Sequence, residues 1–133
     1  MTTATTNEAR IVIRSGPLVG AVLSRVVGML AARALCPIDR LDDALLVTDA
    51  IAAHAPNHTA DETVTVTVLA EPDAITLSVA PLRPQGAAGL LADAELPGVG
   101  NVLQRVADEV TPGQAPDGSG EELRIRLAFA GGR

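Results

Sequence analysis

The chain has no lysine, no tryptophan and no tyrosine, and only one phenylalanine and one cysteine in 133 residues. Each shortage removes a chemistry. A Walker-type phosphate loop sets a lysine on the phosphates, and Schiff-base catalysis needs a side-chain amine, so neither is available. Base-stacking platforms need rings, and Phe129 is the only one; the formal net charge of −6 also repels phosphates. Nucleic acid is therefore not an expected partner. Cys36 has no second cysteine with which to form an internal disulfide. No uncharged apolar run reaches about 18 residues, so no membrane span or membrane partner is expected. With no recognisable signal peptide, the expected location is cytoplasmic, and Asn57-His58-Thr59 is then not read as a glycosylation site.

What is present is aliphatic. Hydrophobic residues make up 47% and charged residues 20%, which fits one soluble globular domain with a core of Val, Leu, Ile and Ala. Residues 1–9 read as a flexible N-terminal tail, and 10–133 as a single domain.

Hydrophobic spacing predicts the elements. Ile11–Ile13 is β-branched and reads as a strand. Ser15, Gly16 and Pro17 break it and open a helix whose stripe is Val19, Val22, Leu23, Val26, Met29 and Leu30. Cys36 and Pro37 end that helix. Asp39 is an expected N-cap for a second helix, with Asp42 and Asp43 in its first turn and a stripe of Leu41, Leu45, Thr48, Ile51, Ala52 and Ala55 that Pro56 stops. From Thr63 the period changes to two: Val64, Val66 and Val68, then Ile75, Leu77 and Val79, predict an antiparallel hairpin turning at Glu71–Asp73. Residues 81–95 read as a loop with one helical turn, 96–110 as a third helix entered through Gly98 and Gly100, and 111–120 as a flexible loop. Leu123, Ile125, Leu127 and Phe129 then line the inner face of a last strand, with Arg124 and Arg126 outward, where Arg10 and Arg14 join them if the first strand is adjacent. The order β-α-α-β-β-α-β predicts a two-layer α+β sandwich, a mostly antiparallel sheet with helices on one face.

That order, with residues 37–48 (PIDRLDDALLVT), 97–110 (PGVGNVLQRVADEV) and 120–127 (GEELRIRL), resembles the histidine-kinase-like (GHKL) ATPase superfamily, and within it the small anti-sigma-factor serine kinases of bacteria. The resemblance covers nearly the whole chain. It implies a site built from a Glu and an Asn one helical turn apart, as general base and magnesium ligand, an Asp after the hairpin that accepts the adenine amino group, and a glycine loop around the phosphates. Counted without gaps, the first pair falls on Ala50 and His54; in the register one residue earlier it falls on Asp49 and Ala53. Alanine ligates nothing, and neutral histidine is a poor partner for magnesium, which prefers oxygen. No acid lies between Asp73 and Asp93. The glycine loop survives, and a phosphate could meet the free N–H groups near Gly98, Gly100 and Asn101.

The resemblance therefore implies a degenerate member: a non-catalytic regulatory or protein-interaction module, with a sigma factor or an anti-sigma antagonist protein as partner, a possible homodimer, and no cofactor expected. The alternative is an ATP-binding serine/threonine protein kinase in which Asp49 or His54 replaces the missing groups and ATP with magnesium is the cofactor. A third possibility is another ligand in a vacated pocket lined by Val79, Leu82 and Leu90. Two further side-chain groupings have plain readings beside sharp ones: His54 and His58 as metal ligands or as helix-end histidines, and Cys36 as a nucleophile or as a small buried thiol.

Overall fold

A computed structural model describes residues 6–129. Within them lie strands β1 (Asn7–Arg14), β2 (Thr63–Glu71), β3 (Ala74–Leu82), β4 (Glu95–Leu96), β5 (Gly100–Asn101), β6 (Glu109–Gln114) and β7 (Glu121–Ala128), and helices α1 (Leu18–Arg33), α2 (Ile38–His54), α3 (Gly86–Asp93) and α4 (Val102–Val106). Five strands form one antiparallel sheet in the order β1-β2-β3-β7-β6, and β4 and β5 make a separate small ladder.

The period-two segments fold as their pattern requires. Val64, Val66 and Val68 of β2, Ile75, Leu77 and Val79 of β3, and Leu123, Ile125 and Leu127 of β7 are buried on one face. The helices cover that face. Val19, Leu23, Val27, Leu30 and Ala31 of α1 and Ala44, Val47, Thr48 and Ile51 of α2 complete a core made almost wholly of aliphatic side chains, with Phe129 its one ring. Thr48 is admitted because its hydroxyl donates to the Ala44 carbonyl at 2.9 Å, which satisfies it without leaving the helix. The two-layer α+β architecture, with helices on one sheet face, is the one expected.

Several details differ from the sequence reading. β1 begins at Asn7, inside the stretch read as a tail, whose residues 1–5 lie outside the described residues. Helix α2 opens at Ile38 after Pro37, with Asp39 in its first turn and no side-chain cap, because a proline already fixes the entry. It runs into a 3-10 turn at Ala55–Asn57 that accommodates Pro56. Residues 81–95 hold two full turns of helix, α3. The predicted third helix over 96–110 shrinks to α4, and the expected loop 111–120 contributes to β6, which pairs with β7 from Glu109↔Arg126 to Gln114↔Glu121. Pro112 and Gly113 masked that strand. Both are tolerated because β6 is an edge. In α1 the buried stripe is rotated: Val22 and Met29 are exposed, whereas Val27 and Ala31 are inside.

One hub ties the ends together. Arg40 of α2 donates from Nε to the Ala128 carbonyl at 2.8 Å, from Nη1 to Asp43 Oδ2 at 2.7 Å and to the Val106 carbonyl at 3.2 Å, and from Nη2 to Asp108 Oδ2 at 2.5 Å. The same Asp108 oxygen accepts the Ala128 N–H at 2.7 Å. The guanidinium thereby fastens α2 to the end of β7 and to the link between α4 and β6.

Candidate functional site

The glycine loop is a hairpin tip followed by a short helix. Gly98 (φ +76°) and Gly100 (φ +97°) occupy left-handed conformations that a side chain resists, which is the reason for glycine at both. Leu96 at the end of β4 and Pro97, Gly98 and Val99 between β4 and β5 are exposed, and Arg105 Nη1 donates to the Val99 carbonyl at 2.7 Å across the loop. Asn101 is the N-cap of α4. Its Oδ1 accepts the Gln104 N–H at 3.2 Å, and its Nδ2 donates to the Leu91 carbonyl at 2.7 Å. Both ends of the amide are thus engaged within the chain. α4 is five residues long.

The other helix start in this region is also occupied. The Glu121 carboxylate accepts the Gln85 N–H at 2.9 Å through Oε2 and the Ala87 N–H at 3.1 Å through Oε1. A carboxylate from β7 therefore satisfies amides that open α3, where the helix dipole favours a negative charge. A phosphate approaching these N–H groups meets a resident anion.

Between α2 and α3 stands His58. Its Nε2 lies 2.7 Å from Asp93 Oδ2, and its backbone carbonyl accepts the Arg83 N–H at 2.9 Å. The ring rests on α3 at Gly89, where a Cβ would come within 2.5 Å of Cε1. The hydrogen bond from His58 holds the Asp93 carboxyl below its ordinary value.

Asp49 is exposed on α2, one residue from the half-buried Ala50 and four from Ala53, also exposed; His54, half-buried, closes the helix. Val79, Leu82 and Leu90, the suggested lining of a vacated pocket, are at most 1% exposed and belong to the core. Hydrocarbon stands at one member of the implied Glu/Asn pair in either register, and the loop's one amide side chain is spent on capping. Among the described residues, no group of three or more His, Cys, Asp or Glu side chains converges on a metal position. Burial pushes the Cys36 thiol up, against an opposing effect of Arg40, and Sγ lies 3.4 Å from the Pro37 carbonyl. That environment disfavours the thiolate a nucleophile needs.

Sequence reasoning missed the Glu121 cap and the His58–Asp93 clasp, since both join residues more than thirty positions apart. It also placed Arg10 beside Arg124 only if β1 and β7 were adjacent. They are not; β2 and β3 stand between them. The register nevertheless puts Arg10, Thr67, Ser78 and Arg124 in one row on the helix-free face. That face is a shallow depression of about 650 Å³, walled on one side by Ala115–Asp117 and Ser119. Its arginines (10, 124 and 126) are outnumbered by Glu8, Glu71, Glu109, Asp117 and Glu122. It is a mixed, hydroxyl-rich surface with no net attraction for anions.

Comparison with models of known protein families and with curated proteins finds no match to this chain. No helix among the described residues is long and apolar enough to cross a membrane.

Proposed function

We propose that this protein is a non-catalytic regulatory module that acts by binding another protein, in the manner of an anti-sigma factor of the histidine-kinase-like type. The observation that carries this reading is the occupation of both helix starts by the chain's own acceptors, Asn101 at α4 and Glu121 at α3. A phosphate-binding loop leaves such N–H groups for its ligand; here they are used to hold the fold. The two-layer fold and the hydrocarbon at Ala50 and Ala53 point the same way. The partner implied is a sigma factor or the antagonist protein that competes for it.

The test has two arms. Tagged protein is used to capture partners from a lysate of the source cells, with mass spectrometry of what is retained, and the captured complex is incubated with labelled ATP and magnesium. Recovery of a sigma factor or its antagonist with no phosphate transfer is the expected result. Phosphate appearing on a partner serine overturns the non-catalytic reading in favour of a serine/threonine kinase.

A further inference from the structure

One end of the helix-free face is a built cleft. Thr65 projects to that face, since Val64 and Val66 on either side of it are in the core, yet it is only 9% exposed. The connection between β6 and β7 packs beside it. Ala115 and Pro116 line the same cleft, Ala115 is itself buried, and a Cβ at Gly120 would lie 3.2 Å from Pro81 Cβ. The Thr65 hydroxyl faces the cleft and makes no hydrogen bond among the described residues. Buried polar groups rarely go without a partner, so this one marks a place for a ligand's polar atom.

From Thr65 the floor runs along β2 and β3, past the paired hydroxyls of Thr67 and Ser78, to Leu69 beside Thr76. The charges along its walls do not balance. Arg124 pairs with Glu122 at 3.4 Å and Arg126 with Glu109 at 3.9 Å. Hydrogen bonds from Ser119 hold the Asp117 carboxyl below its ordinary value, and the Arg10 guanidinium, reaching from β1, adds to that. Two carboxylates of the cleft are left, Glu8 and Glu71, and neither has an ion pair or hydrogen bond among the described residues. The register puts Glu8 opposite Leu69, and Glu71 is the next β2 residue on the same face. The unspent negative charge therefore lies at one end of the cleft and the unpartnered threonine at the other.

An occupant must bring positive charge to Glu8 and Glu71 and a donor to Thr65. Four residues of strand separate Thr65 from Leu69, about 13 Å at about 3.3 Å per residue. A metal ion cannot meet both ends, and among the described residues no third carboxylate, histidine or cysteine joins Glu8 and Glu71 to hold one. An anion has the wrong sign. We propose that the cleft binds a linear aliphatic polyamine, with one terminal ammonium between Glu8 and Glu71, the other at the Thr65 hydroxyl, and the methylenes along Leu69 and the threonine methyls. Both kinds of oxygen accept from an ammonium. A triamine such as spermidine has the length once a hydrogen bond of about 2.9 Å is added at each end; 1,4-diaminobutane is too short. The cleft lies on the face away from the helices, so binding there is independent of what the Gly98–Asn101 loop does.

Titration calorimetry of the full chain with spermidine tests this, in about 150 mM salt to screen diffuse attraction to a net charge of −6. One saturable site with Kd below about 1 mM is expected, with 1,4-diaminobutane at least about tenfold weaker. The double variant Glu8→Gln, Glu71→Gln and the single variant Thr65→Val are each expected to weaken spermidine about tenfold, the loss of a charge-assisted hydrogen bond. Both keep the strand pattern, so the far-UV circular dichroism spectrum should not change. Asp39→Asn, Asp42→Asn removes the same formal charge at exposed sites of α2 and should leave the affinity as it is. Absence of saturable binding overturns the proposal. So does equal weakening by the α2 pair, which is diffuse attraction only. Thr65→Val binding as the wild type does, or the diamine binding as tightly as spermidine, overturns the span to Thr65. Saturable binding of magnesium chloride that is lost in the Glu8, Glu71 variant overturns the polyamine in favour of a metal.

Discussion

His58 and Asp93 are joined by a 2.7 Å hydrogen bond between Nε2 and Oδ2, so the segment leaving α2 is clasped to the last residue of α3. The clasp works because position 89 of α3 is glycine and the imidazole can approach the helix closely there.

Gly89→Val removes the seat of that ring. The added carbons collide with Cε1 and Nδ1, which lie 2.5 and 2.8 Å from a Cβ at this site. His58 must swing out and release Asp93, and overpacking of this kind costs about 1–3 kcal/mol. The midpoint of urea unfolding should fall accordingly, while Ala88→Val at the neighbouring exposed position leaves it within experimental scatter.

Acid sensitivity follows from three carboxylates. Asp93, Asp61 and Asp117 are held below the ordinary 3.8 by hydrogen bonds from His58, Thr63 and Ser119, respectively. Because the folded-state values are the depressed ones, their stabilisation is complete at neutral pH. It disappears as the pH falls below the ordinary value and through the folded-state one. Denaturation midpoints measured from pH 7 to pH 2 should show a shallower acid decline in Asp93→Asn than in the wild type, with the curves converging at the acid end.

Arg40 gathers three carbonyl or carboxylate partners from β7, α4 and the link to β6, in addition to Asp43. A point charge does not reproduce a planar fork. Arg40→Lys should cost about 2–4 kcal/mol in equilibrium unfolding, given charge-assisted hydrogen bonds at about 1.5–3 kcal/mol each and incomplete additivity. Asp43→Ala, which removes one of the four partners, should cost well under half as much.

The elements with a clean period were legible. The valine alternation of β2 and the Leu123–Phe129 alternation stated both the strands and the buried face. α1 was legible as a helix but not fully in its facing, since aliphatic residues surround much of its circumference and the buried set, Val19, Leu23, Val27, Leu30 and Ala31, is fixed by packing on the sheet and α2. β6 was hidden because Pro112 and Gly113 are strong turn signals that an edge position overrides. The positions of Gly98, Gly100 and Asn101 at a tight turn before a short helix were legible, because a Gly-x-Gly ahead of an apolar stripe marks a helix entry. The long-range partners were not legible: Glu121 reaches α3, and His58 reaches Asp93, through contacts that only the folded chain creates.

Asn101→Ala separates the two roles of the glycine loop. Loss of the α4 cap and of the bond to the Leu91 carbonyl should lower stability by about 1–2 kcal/mol. Asn101→Asp keeps the cap acceptor and loses only the donor, so it should fall between the wild type and Ala. Thermal unfolding followed by circular dichroism gives the order.

Titration calorimetry of the intact protein with magnesium and ATP addresses the central claim most directly. With the α3 amides on Glu121 and the α4 cap on Asn101, the expected trace shows no saturable heat at nucleotide concentrations up to about 1 mM, where even weak specific sites fill. Saturable binding near the micromolar range, abolished by Gly100→Val, would contradict it.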